Sequence, residues 1–395
     1  MIRRKFIQTA AAFPALMIGR RPLSAAAYDL VIQGGRVIDP AQRIDRLADV
    51  AIRAGKIAAI GPKIAASSAR ETIDANGRLV VPGLIDIHLH ARDAELPPSA
   101  ILALGVTSMV DAGSRGAVNV DQLIEVARTA PNRIRILLNI ASKGNNPNGR
   151  GEFLDSIDPA DVPKSHAAVQ KHRVRIVGIK ARLSRGISAD RDLQVLRRAV
   201  ELAGPFSIPI MIHMGDTASP LPQILALLRP GDIVSHMYAP TPHGIMDQQG
   251  QILPEVREAR RRGIGFDFGN RLDEHWTWDM AQSGLHQGFP PDTISSDLTI
   301  TGRTAQVIDL PNVISKFLCM GMPLNRAIAC VTSNAARSFC EFNAYGTLRV
   351  DASADVTVLD LTQGTFTFVD NYKNVRTGTQ RLVTRAVVMG GRKVA

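Results

Sequence analysis

The sequence predicts an α/β protein: a (β/α)8 barrel of the TIM type, carrying a small composite β-sandwich built from both ends of the chain. Three observations predict it. Eight short apolar, β-rich runs alternate with helical segments between residues 83 and 342. Hairpin texture stands before and after that stretch and is absent within it. Five of the eight runs end on a candidate metal-site residue, His90, Lys180, His213, His236 or Asp297, at the strand ends where such a barrel gathers its working residues.

The elements follow in order. Residues 1–27 hold Arg3, Arg4, Lys5, Arg20 and Arg21 and no acid, with an apolar stretch Phe6–Gly19 and then Ala25-Ala26-Ala27. That is the order of an export signal. The paired arginines before Lys-Phe-Ile resemble a twin-arginine signal, so a periplasmic protein is expected. Fourteen mostly small residues make a poor permanent anchor for ~30 Å of hydrocarbon. From residue 28 to 82, Tyr28–Ile38, Ala48–Ile60 and Thr72–Val81 alternate apolar and polar residues and are broken by Gly-Gly, Ala-Gly and Asn-Gly, as hairpins are. The same texture returns in residues 343–395, at Gly346–Leu359 and Arg381–Val394.

Between them the β-rich runs are Leu84–His90, Val106–Asp111, Ile134–Ile140, Arg175–Lys180, Ile208–His213, Asp232–His236, Gly265–Asp267 and Thr293–Asp297. Asp121–Thr129, Ala189–Ala203 and Leu253–Gly263 have helical period, and Gly144–Lys164 reads as a long loop.

Composition narrows the function classes. At 45% hydrophobic and 21% charged residues, the chain builds an ordinary core, which excludes disorder and disulfide-stapled miniatures. The leader supplies five of the eleven net positive charges, and no basic block exceeds Arg260-Arg261-Arg262. A polyanion surface is not supported, so the expected partner is a small-molecule substrate and not a nucleic acid. A homo-oligomer is compatible with the sequence. Cys319, Cys330 and Cys340 lack zinc-ligand spacing and read as buried small hydrophobes.

The first run ends His88-Leu89-His90. Side chains at i and i+2 of a strand share a face, so the two imidazoles can hold one ion. Lys180, His213, His236 and Asp297 end the fourth, fifth, sixth and eighth runs. Imidazole suits zinc and its neighbours, and Asp297 adds a hard anionic oxygen. Lys180 would repel a cation as an ammonium; deprotonated, it can react with CO₂ to give a carbamate whose oxygens bridge two ions. Each residue alone has a plainer reading: a hydrogen-bonded core pair, a snorkelling lysine, a helix cap for Asp297. Their conjunction at the correct strand ends points to a metal site.

Val81-Pro82-Gly83-Leu84-Ile85-Asp86-Ile87-His88-Leu89-His90, followed by the order Lys, His, His, Asp, resembles the amidohydrolase superfamily. Gly178-Ile179-Lys180-Ala181-Arg182, Arg229-Pro230-Gly231-Asp232-Ile233, His243-Gly244-Ile245-Met246-Asp247 and the tract Gly288–Leu298 are similar to its dihydroorotase-like amidohydrolase/deacetylase branch. The resemblance implies two divalent ions, zinc with manganese as the alternative. It puts His88, His90 and Asp297 on one ion, His213 and His236 on the other, and carboxylated Lys180 across both.

The implied activity is hydrolysis of an amide or ester bond in a small acylated acid, with Asp297 as the catalytic proton carrier. A cyclic-amide hydrolase is the alternative; dihydroorotase itself fits an exported chain poorly. A non-catalytic binding protein on the same barrel would be expected to have lost at least one ligand, and all six are present. Arg92 and Arg182, each two residues past a candidate ligand, are candidate anion anchors. Trp276 and Trp278 are candidate walls for an acyl group, and His243 stands where the branch leads one to expect Asn, as a reader of the leaving group.

Overall fold

The computed structural model describes residues 26–91, 96–145, 152, 154 and 156–395. Residues 1–25 of the expected export segment, and Arg92, lie outside the described residues.

Five strands open the described chain: β1 (Tyr28–Asp39), β2 (Ile44–Arg53), β3 (Lys56–Gly61), β4 (Ala69–Asp74) and β5 (Leu79–Pro82). β1 pairs antiparallel with β2 along one edge; on the other it pairs parallel first with β4, through Tyr28–Gln33, and then with β5, through Arg36 and Val37. The changeover is a bulge between Ile32 and Gly35. Gly34 sits there at φ 72°, and a Cβ on it would stand 2.1 Å from Asn76 Oδ1. A side chain here would be strained by the left-handed backbone and would have to displace Asn76, and the bend lets one sheet curl around its own core.

The central strands are β6 (Leu84–Leu89), β7 (Val106–Gly116), β8 (Arg133–Asn139), β9 (Ile176–Arg182), β10 (Ile210–His213), β11 (Ile233–Ser235) and β12 (Gly265–Asp267). They form one parallel sheet in sequence order, curled as a TIM-like barrel. Seven of the expected runs are thus strands. The eighth, Thr293–Asp297, occupies the closing position without a strand ladder: Thr293 makes one parallel bridge to Asp267. Phe268 N–H donates to Thr293 O at 3.0 Å and Asn270 N–H to Ser295 O at 3.0 Å, while Asp297 N–H donates to His88 O at 2.7 Å. Side chains replace the missing ladder. Thr293 and Ser295 hydroxyls donate to Asp267, and the Ser296 hydroxyl and N–H donate to Asp86 of β6.

Helices cover the sheet for the usual reason. In Asp192–Ala203 the buried Val195, Leu196, Ala199, Leu202 and Ala203 recur at helical spacing on one face. The expected loop Gly144–Lys164 is shortened at its end, because a helix begins at Val162 with Asp161 accepting from Lys164 N–H.

β13 (Val356–Val369), β14 (Val375–Met389) and β15 (Arg392–Lys393) return to the first sheet, giving the order β15-β14-β13-β5-β1-β2-β3. Strands from both ends therefore share one mixed sheet, joined where β13 pairs antiparallel with β5. Its apolar core, including Ile32, Val37, Val50, Val80, Val356 and Val388, is separate from the large cluster of the barrel. Helix Leu310–Cys319 fastens the two sheets: the Leu382 N–H of β14 donates to Ser315 Oγ at 2.9 Å.

Of the three cysteines only Cys330 is buried; Cys319 is partly covered and Cys340 is exposed in a short turn, so burial as hydrophobes holds for one of them. Among the described residues no helix is long and apolar enough to cross a membrane.

Candidate active site

The C-terminal ends of β6, β9, β10 and β11 and the closing segment converge on one buried cluster. His88, His90, Lys180, His213, His236 and Asp297 are all at most 4% exposed. His90 Nε2 lies 3.2 Å from Asp297 Oδ1, His88 Nε2 3.8 Å from the same oxygen, and His236 Nε2 3.7 Å from Asp297 Oδ2. Lys180 Nζ is 3.1 Å from His88 Nε2. The six residues singled out in the sequence are therefore neighbours in space.

Hydrogen bonds behind the imidazoles fix which nitrogen faces the cluster. The Ser235 hydroxyl donates to Asp267 Oδ2 at 2.6 Å, so its oxygen accepts from His88 Nδ1 at 2.7 Å. The same relay runs from His90 Nδ1 through Ser114 to Asp111, at 2.7 Å for each step. His236 Nδ1 donates to Gly269 O at 2.8 Å. In all three the proton is committed to the rear, leaving the Nε2 lone pair forward, the arrangement of a ligand oriented from behind.

Burial is the largest influence on these groups. It lowers His88 to about 4, with the neighbouring Lys180 charge adding to the effect. It holds His213 and His236 well below the ordinary range. Burial likewise brings Lys180 down to about 7. For Asp297 burial works upward, but His88, His90 and Arg271 outweigh it and keep the carboxyl well below its usual value. His88, His213 and His236 are thus neutral imidazoles beside a readily deprotonated amine and an ionised carboxylate, protonation states that metal binding requires.

Divalent cations fit these residues. Both oxygens of Asp297 and Nε2 of His236 are buried without a hydrogen-bond partner, a costly condition that a cation between them relieves. Lys180 has room kept for it by Gly113, where a Cβ would stand 2.5 Å from the lysine Cβ.

Sequence reasoning missed two residues here, both on the loop after β12. His275 Nε2 lies 3.0 Å from His213 Nε2, and its Nδ1 donates to Asp273 O. His213, His236 and His275 together could hold an ion, as could His88, His236 and Asp297. Arg271 places Nη1 3.6 Å from Asp297 Oδ2. Neither residue carries a local signal, since both sit on an irregular loop; the proximity of His275 to the tryptophans is the one hint.

The weaker substrate candidates divide. Arg182 lines the cavity that opens onto the cluster, about 640 Å³ in volume and walled also by His213, Arg271, His275 and Tyr372. His243 does not line it. Its Nδ1 is 3.0 Å from Thr217 O, and it borders a different cavity of about 440 Å³. Trp276 and Trp278 do not wall an acyl site either. Trp276 is wholly buried against Phe268, and Trp278 donates from Nε1 to Asn374 O at 2.9 Å. Indoles of this size find more apolar area, and for Trp278 a hydrogen-bond acceptor, by docking the loop onto the β13–β14 hairpin.

The sequence pattern described as "Amidohydrolase family" matches residues 79–394. A deacetylase of Enterococcus faecalis is 29% identical over 378 residues, 92% of this chain and 98% of that protein. Among solved structures, one titled as an adenine deaminase superposes with a TM-score of 0.83 at 29% identity, covering 93% of this chain and 99% of its own. One titled as a dihydroorotase gives 0.83 at 26% identity, covering 93% and 97%.

Proposed function

Since the chain belongs to the amidohydrolase family, we propose that it is a metal-dependent, deacetylase-like hydrolase that cleaves the amide or ester bond of a small acylated acid. The observation that carries this reading is the buried convergence of forward-facing imidazole nitrogens on the unpartnered oxygens of Asp297. The similarity to a deacetylase along nearly the whole of both chains supports the acyl-removing direction.

In this reading His88, His90 and Asp297 would hold one divalent ion and His213 and His236 a second, with Lys180, once carboxylated by CO₂, as a ligand shared between them; zinc is the proposed metal and manganese the alternative. Bound there, the ions supply an acidified water at neutral pH and polarise the substrate carbonyl. The protein does the rest. Asp111 and Asp267, through Ser114 and Ser235, keep the two front imidazoles in one tautomer. Asp297, ionised, takes the proton of the attacking water and returns it to the leaving nitrogen or oxygen. Burial of the cluster keeps bulk water from competing. Export through the twin-arginine route to the periplasm, which suits a protein that acquires metal before translocation, belongs to the same proposal.

The likeness to a structure titled as a dihydroorotase favours a second reading, opening of a cyclic amide. The two separate in one assay. Zinc- or manganese-loaded protein is expected to release acetate from N-acetyl or O-acetyl acids and to leave dihydroorotate and hydantoins intact. Ring opening without acetate release would replace the first reading with the second, and metal-loaded protein inactive on both would refute each.

A further inference from the structure

The cavity in front of the cluster is lined by two guanidinium groups whose needs the protein does not meet. An arginine presents five N–H donors. Among the described residues, the side chain of Arg182 makes one hydrogen bond, to Asn145 Oδ1 at 3.2 Å. The side chain of Arg271 makes none, and its nearest acid, Asp297, stands 3.6 Å away, beyond a direct hydrogen bond. The acids that line the cavity are Asp216, which lies 3.8 Å from Arg185, and Glu274.

The backbone beneath Arg271 is held deliberately. Its φ of 51° is in the left-handed region that residues with a Cβ avoid. Three hydrogen bonds fix it there: its N–H donates to Ser296 O at 3.2 Å, and its carbonyl accepts from Asn270 Nδ2 at 2.7 Å and from Asn371 Nδ2 at 2.9 Å. Such over-determined strain is a mark of functional positioning. Glycine or asparagine would take this backbone more cheaply, so the side chain is what the arginine adds.

We propose that Arg271, assisted by Arg182, reads the carboxylate of the substrate in this cavity, making Arg271 a specificity-determining residue; this rests on the acylated-acid hydrolase proposed above. Arg271 stands at ion-pair distance from Asp297 without a direct hydrogen bond, which leaves its N–H donors for a second carboxylate, and a planar fork matches one bidentately. Both guanidinium groups line the same cavity, so an arriving anion would offset two like charges there. An acid bound here would hold its acyl group toward His213 and the cluster behind it.

The test compares binding of 2-hydroxyhexanoate and 2-hydroxyhexanamide, product-like ligands differing in one charge, to the metal-loaded full chain by titration calorimetry. The wild type is expected to prefer the acid. Arg271→Gly, which the left-handed backbone accommodates, should reduce the acid-over-amide ratio by about 10- to 100-fold, the share of one or two charge-assisted hydrogen bonds. Arg271→Lys should keep part of the ratio, and Arg182→Met should reduce it independently. If Arg271 merely balances the charge of Asp297, acid and amide weaken together and the ratio holds, which overturns the proposal; so does a wild type without preference for the acid. Acid-selective binding without acetate release would retain the subsite and remove the deacylase reading. Acetate release without acid preference would do the reverse.

Discussion

Asp297 differs from every other carboxylate near the cluster in having both oxygens free of hydrogen bonds while Asp111 and Asp267 are saturated by hydroxyl and N–H donors. Its task is therefore separable from holding the fold. Asp297→Asn is expected to keep most of the bound metal while kcat falls about 10²- to 10⁴-fold, the usual worth of a positioned proton carrier; elemental analysis beside steady-state kinetics checks both halves. Lys180→Ala should instead lower metal occupancy, with partial recovery of metal and activity when short carboxylic acids are added to fill the space left by the carbamate. Undiminished occupancy of two ions per chain would refute the bridge. Such residues were legible in the sequence because each ends a β-rich run, so that a pattern in one dimension maps onto one end of the barrel. Arg271 and His275 were not, because a loop has no period and their approach to Asp297 and His213 depends on contacts with residues about a hundred positions away.

Among the elements, helix Leu310–Cys319 is nearly all buried, including Lys316. The Lys316 ammonium donates to Asn270 Oδ1 at 3.1 Å and lies 5.1 Å from the Trp276 ring centre, and burial brings it down to about 7. In the unfolded chain a lysine keeps its proton to about 10.4. Between those values the unfolded state binds the extra proton, so the wild type gains stability as pH rises from 7 toward 10. Lys316→Met removes that dependence. It should raise the melting temperature at pH 7 by about 2–4 °C, with the advantage shrinking toward pH 10; scanning calorimetry at both ends reads the sign. Nothing local in the sequence marks Lys316 as buried, since its burial depends on where the overlying loop is placed. The closing segment Thr293–Asp297 was located correctly and mistyped, because its hydroxyls spend on Asp267 and Asp86 the bonding that a ladder would otherwise supply. The tryptophans misled for a related reason: aromatic residues near a site suggest a wall, whereas these anchor the loop from beneath.

At the scale of the whole molecule, the β13–β14 hairpin reaches from the mixed sheet to the barrel mouth. Asn371, in its turn, accepts from His275 N–H at 3.1 Å and donates to Arg271 O at 2.9 Å. Asp370 accepts from Trp278 N–H at 3.2 Å. Asn371→Ala should leave the metal content intact and raise KM about 10-fold, as two bonds of about 1 kcal/mol each loosen the loop; parallel metal analysis and kinetics decide it, and an unchanged KM would mean the loop stands without the hairpin. That both ends share one sheet was legible from their common texture, while the reach of the hairpin tip was not, since nothing local in Asp370-Asn371-Tyr372 marks its destination. The same contact sets an order on biogenesis. A ribosome completes every barrel strand long before it reaches Asn371, and β5 waits for β13 across some 270 residues of intervening chain. Until those late segments emerge, the mouth of the barrel lacks its clamp, so a nascent chain is expected to hold substrate more weakly than the finished protein does.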